Sequence, residues 1–165
     1  MDASSTRLLG SMHAACALAR PARTRGHFRA VGTLSPTVPL RSIGVGCRFD
    51  WVSEDAEEEA DGLLDQDPMA RGDLQPLIAR MKQGKLRKGK EYKQFQMVKD
   101  EPPLYELTLD TTRPRLRLYF IEESHEDGVH AIGLLLAEKP TGTPDEQRNK
   151  QNSDAARAYA RRRHV

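Results

Sequence analysis

The chain has 165 residues, of which 38% are hydrophobic and 30% charged, a balance suited to one modest core flanked by polar tails. Its formal charge of +2 is segregated, with acids crowding positions 54–67 and cations dominating 80–99 and the terminal Arg161, Arg162 and Arg163, so it admits a polyanion partner as readily as a set of solvated faces. The composition argues against a transmembrane helix, since no apolar run approaches about 20 residues, and against a disulfide framework or zinc site, since Cys16 and Cys47 are the only cysteines.

Residues 1–46 are rich in Arg, Ser, Ala, Pro and Gly, and Asp2 is their sole acid. They admit an organellar leader, a flexible nucleic-acid-binding arm, or upstream sequence included by a misplaced start. A disordered or mis-started extension is the expectation, with the folded domain over 47–163 in a reducing cytoplasm. Arg48 to Val52 forms a candidate first strand. Ser53 then stands at an N-cap position ahead of Glu54, Asp55, Glu57 and Glu58, whose carboxylates suit a helix N-terminus. Ala56, Ala60, Leu63 and Leu64 supply that helix with a narrow apolar stripe. Asp67, Pro68 and Gly72 mark a break. Asp73 is expected to cap a second helix, with Leu74, Leu77, Ile78 and Met81 on one face, Pro76 in its first turn and Gly84 as its stop. A basic loop at 85–90 follows, and 91–98 alternates weakly enough for an irregular strand. Pro102-Pro103 forces an extended entry to the next element.

Three strands are then expected. In 104–110, Tyr105, Leu107 and Leu109 oppose Glu106 and Thr108. In 115–122, Leu116, Leu118 and Phe120 face one way while Arg115, Arg117 and Tyr119 face the other, giving a strand with a core side and a cationic side. The segment 130–139 is almost continuously apolar, as a strand covered on both faces would be. Short connections make an antiparallel meander the economical pairing. Thr143, Pro144 and Glu146 form a capping-box signal for a last helix running to about Arg163. Its apolar residues are mainly Ala155, Ala156, Ala158, Tyr159 and Ala160, so light packing is expected, with Arg148, Lys150, Arg157 and the terminal arginines left available. The order is β–α–α–β–β–β–α: an α+β fold, with a small antiparallel sheet, an N-terminal helical hairpin packed on it and a C-terminal helix. His125 sits among carboxylates in a turn and His130 opens a strand. Charge balance is the expected role of His125, and acid–base chemistry a lesser one for either. The sequence offers no Gly-rich phosphate loop, metal-ligand cluster or Ser/His/Asp arrangement.

The succession Leu104-Tyr105-Glu106-Leu107, then Arg117 to Phe120, then an apolar strand ending in Lys139, then Thr143-Pro144-x-Glu146 with Ala155-Ala156-Arg157, resembles the RelE/HigB-type toxins of toxin–antitoxin modules, in particular the phage-derived HigB-like branch. The resemblance spans Phe49 to about Arg163. It implies a RelE-like fold and a metal-independent endoribonuclease acting on mRNA, free or on the ribosome, without a cofactor and neutralised by a helix-turn-helix antitoxin. In that chemistry the substrate 2′-hydroxyl attacks the adjacent phosphate, and cations stabilise the developing phosphorane. The resemblance assigns catalytic roles to Arg117 as phosphate ligand, Lys139 as phosphate ligand or base, and Tyr119 as stacking platform or proton donor. Glu106 is expected to be buried and ion-paired with a strand arginine. Arg115, Lys85, Arg87, Lys88, Lys90 and Arg148 are candidate RNA contacts. Thr108 and Pro140 stand where the family carries basic residues, which keeps a second reading open: a catalytically inactive RelE-fold module that binds RNA or protein. A third reading, an organellar RNA-associated protein, rests on the Arg-rich leader alone.

Overall fold

The computed structural model describes residues 41–97, 102–110 and 115–164. The expected extension up to residue 40 and the turn at 111–114 lie outside the described residues. The element order is β1 (Arg48–Trp51), α1 (Glu54–Leu64), α2 (Pro68–Lys82), β2 (Tyr92–Phe95), β3 (Leu104–Leu109), β4 (Leu116–His125), β5 (Gly128–Glu138) and α3 (Pro144–Arg161), closed by a short 3-10 turn. This is an α+β arrangement around a five-stranded sheet of order β1-β5-β4-β3-β2.

Local signals account for the helix ends. The Ser53 hydroxyl accepts from Ala56 N, as its N-cap position requires. Thr143 and Glu146 complete the capping box at α3, where the Glu146 carboxylate accepts from Thr143 N at 2.8 Å. α2 departs from expectation. It starts at Pro68 rather than after Asp73, because Asp67 caps it by accepting from Met69 N at 2.9 Å and Pro68 fits the first turn, where no donor is needed. Pro76 consequently lies inside the helix.

The sheet is mixed rather than wholly antiparallel. β2, β3, β4 and β5 pair antiparallel, whereas β1 lies parallel beside β5. After β1 the chain passes through both helices and enters the sheet from the opposite edge, so β1 and the last strand meet as a crossover pair. The β4–β5 register slips between Tyr119↔Leu135 and Phe120↔Gly133, leaving Leu134 as an extra residue. This bulge turns both Leu134 and Leu135 toward the same core.

Both faces of the sheet are covered. On one side Tyr105, Leu107, Leu116, Leu118 and Phe120 pack against Ala60, Leu64, Leu74 and Met81 of the helical hairpin. On the other, Leu104, Tyr119, Ile121, Leu134 and Leu135 pack against Ala155 and Ala158 of α3. β4 is therefore buried continuously from Leu116 to Glu122, which corrects the expectation of an open cationic face along this strand. The folded unit also takes in residues ahead of 47. The buried Glu122 carboxylate accepts from Arg41 N at 2.6 Å, from Ser42 N at 3.3 Å and from the Ser42 hydroxyl.

Candidate functional site

The register arranges the candidate residues in rows across the face under α3. Thr108, Arg117 and Ala137 are aligned across β3, β4 and β5, as are Glu106, Tyr119 and Leu135. One step beyond, Lys139 N donates to Arg115 O at 2.6 Å and its ammonium lies 3.5 Å from the Asp110 carboxylate. Since alternate residues share a face, Arg115, Arg117, Tyr119 and Lys139 all point to the α3 side. The basic loop joins the same end of the sheet, because Glu91 O accepts from Thr108 N at 3.2 Å.

Burial separates these residues into two groups. Arg117 retains only 7% of its side-chain exposure, and its Nε lies 3.6 Å from Glu106 Oε1. Glu106 is fully buried, as expected of a strand arginine's partner, and also accepts from Gln151 Nε2 at 2.7 Å. Tyr119 is sealed completely, so a base cannot stack on it in this arrangement. Burial pushes its phenol well above the ordinary range and Glu106 adds to that effect, so it is a poor proton donor as placed. Lys139 is partly accessible, with 26% of its side chain exposed. Arg115, Lys85, Arg87, Lys88, Lys90 and Arg148 are all exposed. Within the loop, Arg87 is drawn back to Glu91 by its backbone N at 2.7 Å and its guanidinium at 3.3 Å. Arg80 also pairs with Glu91, and although burial opposes the shift, the hydrogen bond from Arg87 N, followed by the Arg87 and Arg80 guanidinium groups, holds the Glu91 carboxyl below its usual value.

The arginines of α3 are less available than its polar sequence suggests. Arg157 and Arg161 both pair with Glu59 of α1, at 2.7 and 2.6 Å, and Arg162 lies 3.6 Å from Glu123. Lys150 pairs with Asp154 one turn on. His125 and His130 lie at the opposite end of the sheet from the basic rim. The His130 ring sits 3.0 Å from Asp127 and its centroid 4.4 Å from that of His125, so neither joins the candidate site.

Sequence reasoning missed three participants. Lys93, opposite Glu106 on β2, is an exposed cation on the α3 side of the sheet. Its signal was the pairing parity of a strand too weakly alternating to be read. Gln151 and Asp154 face inward from α3, where the sparse alanine stripe gave the only hint of a buried side. Among the described residues, no group of three or more His, Cys, Asp or Glu is placed to hold a metal ion, and no helix is long and apolar enough to cross a membrane. The site thus consists of an exposed cationic rim leading to a covered, charge-balanced interior. Searches of protein-family models, curated proteins and solved structures found no match for this chain.

Proposed function

We propose that this chain is a toxin-like protein of the RelE/HigB type that engages RNA through the cationic end of its sheet and is held in check by a small helix-turn-helix antitoxin. The observation that carries this reading is the convergence of Arg115, Lys139 and the exposed loop lysines on one end of the sheet. Guanidinium and ammonium groups on an exposed rim suit a phosphodiester backbone, where affinity comes from displaced counterions. Binding takes precedence over cleavage because Arg117 is committed to Glu106 and Tyr119 is enclosed.

Metal-independent cleavage by 2′-hydroxyl attack is the second reading. The proximity of Arg115 and Lys139 favours it: the arginine supplies fixed positive charge for the phosphorane, and the lysine supplies a second cation or a base. One experiment separates the two. Fluorescent single-stranded RNA titrated with the full chain over a range of salt should bind with an affinity that falls steeply as salt rises. The Arg115→Ala/Lys139→Ala variant should weaken binding and flatten the salt slope by about 0.7 for each lost phosphate contact. Intact RNA on a denaturing gel supports binding alone, whereas cyclic-phosphate products transfer the assignment to cleavage. Unchanged affinity in the double variant rejects the rim as the RNA surface.

A further inference from the structure

We propose that α3 is a displaceable cover, latched by surface ion pairs, and that lifting it extends the RNA-binding rim inward to Arg117. The ligand in this inference rests on the RNA reading above, whereas the cover itself rests on the packing beneath α3. Asp154 Oδ2 has no hydrogen-bond partner there, and the Arg117 guanidinium and the Tyr119 phenol have only each other and the 3.6 Å ion pair to Glu106. Buried groups in a permanently closed core are nearly always fully hydrogen-bonded, so under-satisfied donors and acceptors gathered beneath one helix call for a reason. The polar atoms belong to a surface that closure leaves unsatisfied.

The helix is also weakly seated. Its buried residues are Asp154, Ala155, Ala158 and Tyr159, so small methyl groups make up much of what it sets against the sheet. The remaining attachments are polar. Glu59 of α1 holds Arg157 and Arg161, Arg161 Nη1 donates at 3.1 Å to the carbonyl of the bulged Leu134, and Gln151 reaches Glu106. Exposed ion pairs of this kind contribute little each, so the latch itself releases at modest cost, and the larger cost of opening is the apolar surface of Leu104, Ile121, Leu134 and Leu135 that α3 covers. Glu59 is nearly half exposed and shared by both arginines, so its substitution releases both of these pairs at once, the Arg162–Glu123 contact remaining. With α3 lifted, Gln151 leaves Glu106, and Arg117 and Tyr119 become continuous with Arg115 and Lys139 on one cationic face.

Amide hydrogen exchange on the full-length chain, followed residue by residue, tests this. Glu59→Gln removes the latch. Glu57→Gln removes the same charge from an exposed position of α1 and serves as control. The amides of α3 should exchange at least about tenfold faster than those of β4 in the unsubstituted protein, and several-fold faster again in E59Q but not in E57Q. Single-stranded RNA should bind E59Q more tightly than E57Q, and only the E59Q gain should disappear when Arg117→Lys is added. Exchange of α3 in step with β4 overturns the cover, whatever RNA does. Equal RNA affinity of the two variants overturns the access role while leaving the rim as a binding surface. Absence of RNA binding in every protein, with α3 still opening ahead of β4, rejects the RNA reading and leaves the cover standing.

Discussion

A guanidinium buried beside one carboxylate is held by a balance that single substitutions upset. Arg117→Met should destabilise the fold by about 3–5 kcal/mol, because it strands the Glu106 carboxylate in a dry environment. The double variant Glu106→Gln/Arg117→Met should recover most of that loss, and urea midpoints for the two proteins check both expectations. A loss of RNA binding on removing Arg117 therefore speaks for phosphate contact only if the variant stays folded. Gly133 is a second sensitive position, for steric rather than electrostatic reasons. A Cβ there would lie 2.7 Å from Trp51 Cε3 and 2.9 Å from Phe49 Cζ, inside the edge-to-face pair those rings form. Gly133→Ala should cost about 1–3 kcal/mol through overpacking, read as a lowered thermal midpoint with the Trp51 fluorescence altered. Cys47 is half-buried against the same core, and burial raises its thiol to about 11, with Glu122 adding to the effect. It should alkylate slowly near neutral pH, as peptide mapping of the modified site would show.

The elements differ in what secures them. The hairpin of α1 and α2 is anchored by large apolar side chains, whereas α3 depends on its capping box, its alanines and its charged latch. Thr143→Ala should therefore cost about 1 kcal/mol and appear first as fraying of α3, measured as faster amide exchange in its opening turn. The latch also depends on pH. Hydrogen bonding from Arg161, with the charge of Arg161 and Arg157, lowers the Glu59 pKa below its ordinary 4.5. A depressed carboxyl pKa adds stability that is fully present above 4.5 and is lost as the pH falls through the folded value. The exchange ratio of α3 to β4 amides should therefore rise on acidification below that range, and E59Q should abolish the rise. Because the pair is exposed, added salt should act in the same direction.

At the scale of the whole molecule, the site is a product of register and layering. A five-stranded mixed sheet clothed on both faces gathers Arg115, Lys139 and the loop lysines at one end, so polyanion binding there predicts protection centred on that rim. Much of this order was legible in the sequence. The alternation at 104–110 and 115–122, the Ser53 and Thr143 caps and the apolar run at 130–139 determined their elements locally, because period-two patterning and capping chemistry act within a few residues. The same local signals misplaced the start of α2, since Asp67-Pro68 serves equally to end one segment and to begin the next helix. What the sequence by itself determined was the succession of elements and the common facing of Arg115, Arg117 and Tyr119. Tertiary structure alone decided that β1 joins parallel to β5, that a bulge turns two leucines under α3, and that Arg117 and Tyr119 lie inside while Arg115 and Lys139 stay at the rim. Those outcomes depend on which layers meet across the sheet, and burial is a property of the neighbours that arrive rather than of the residue that is covered.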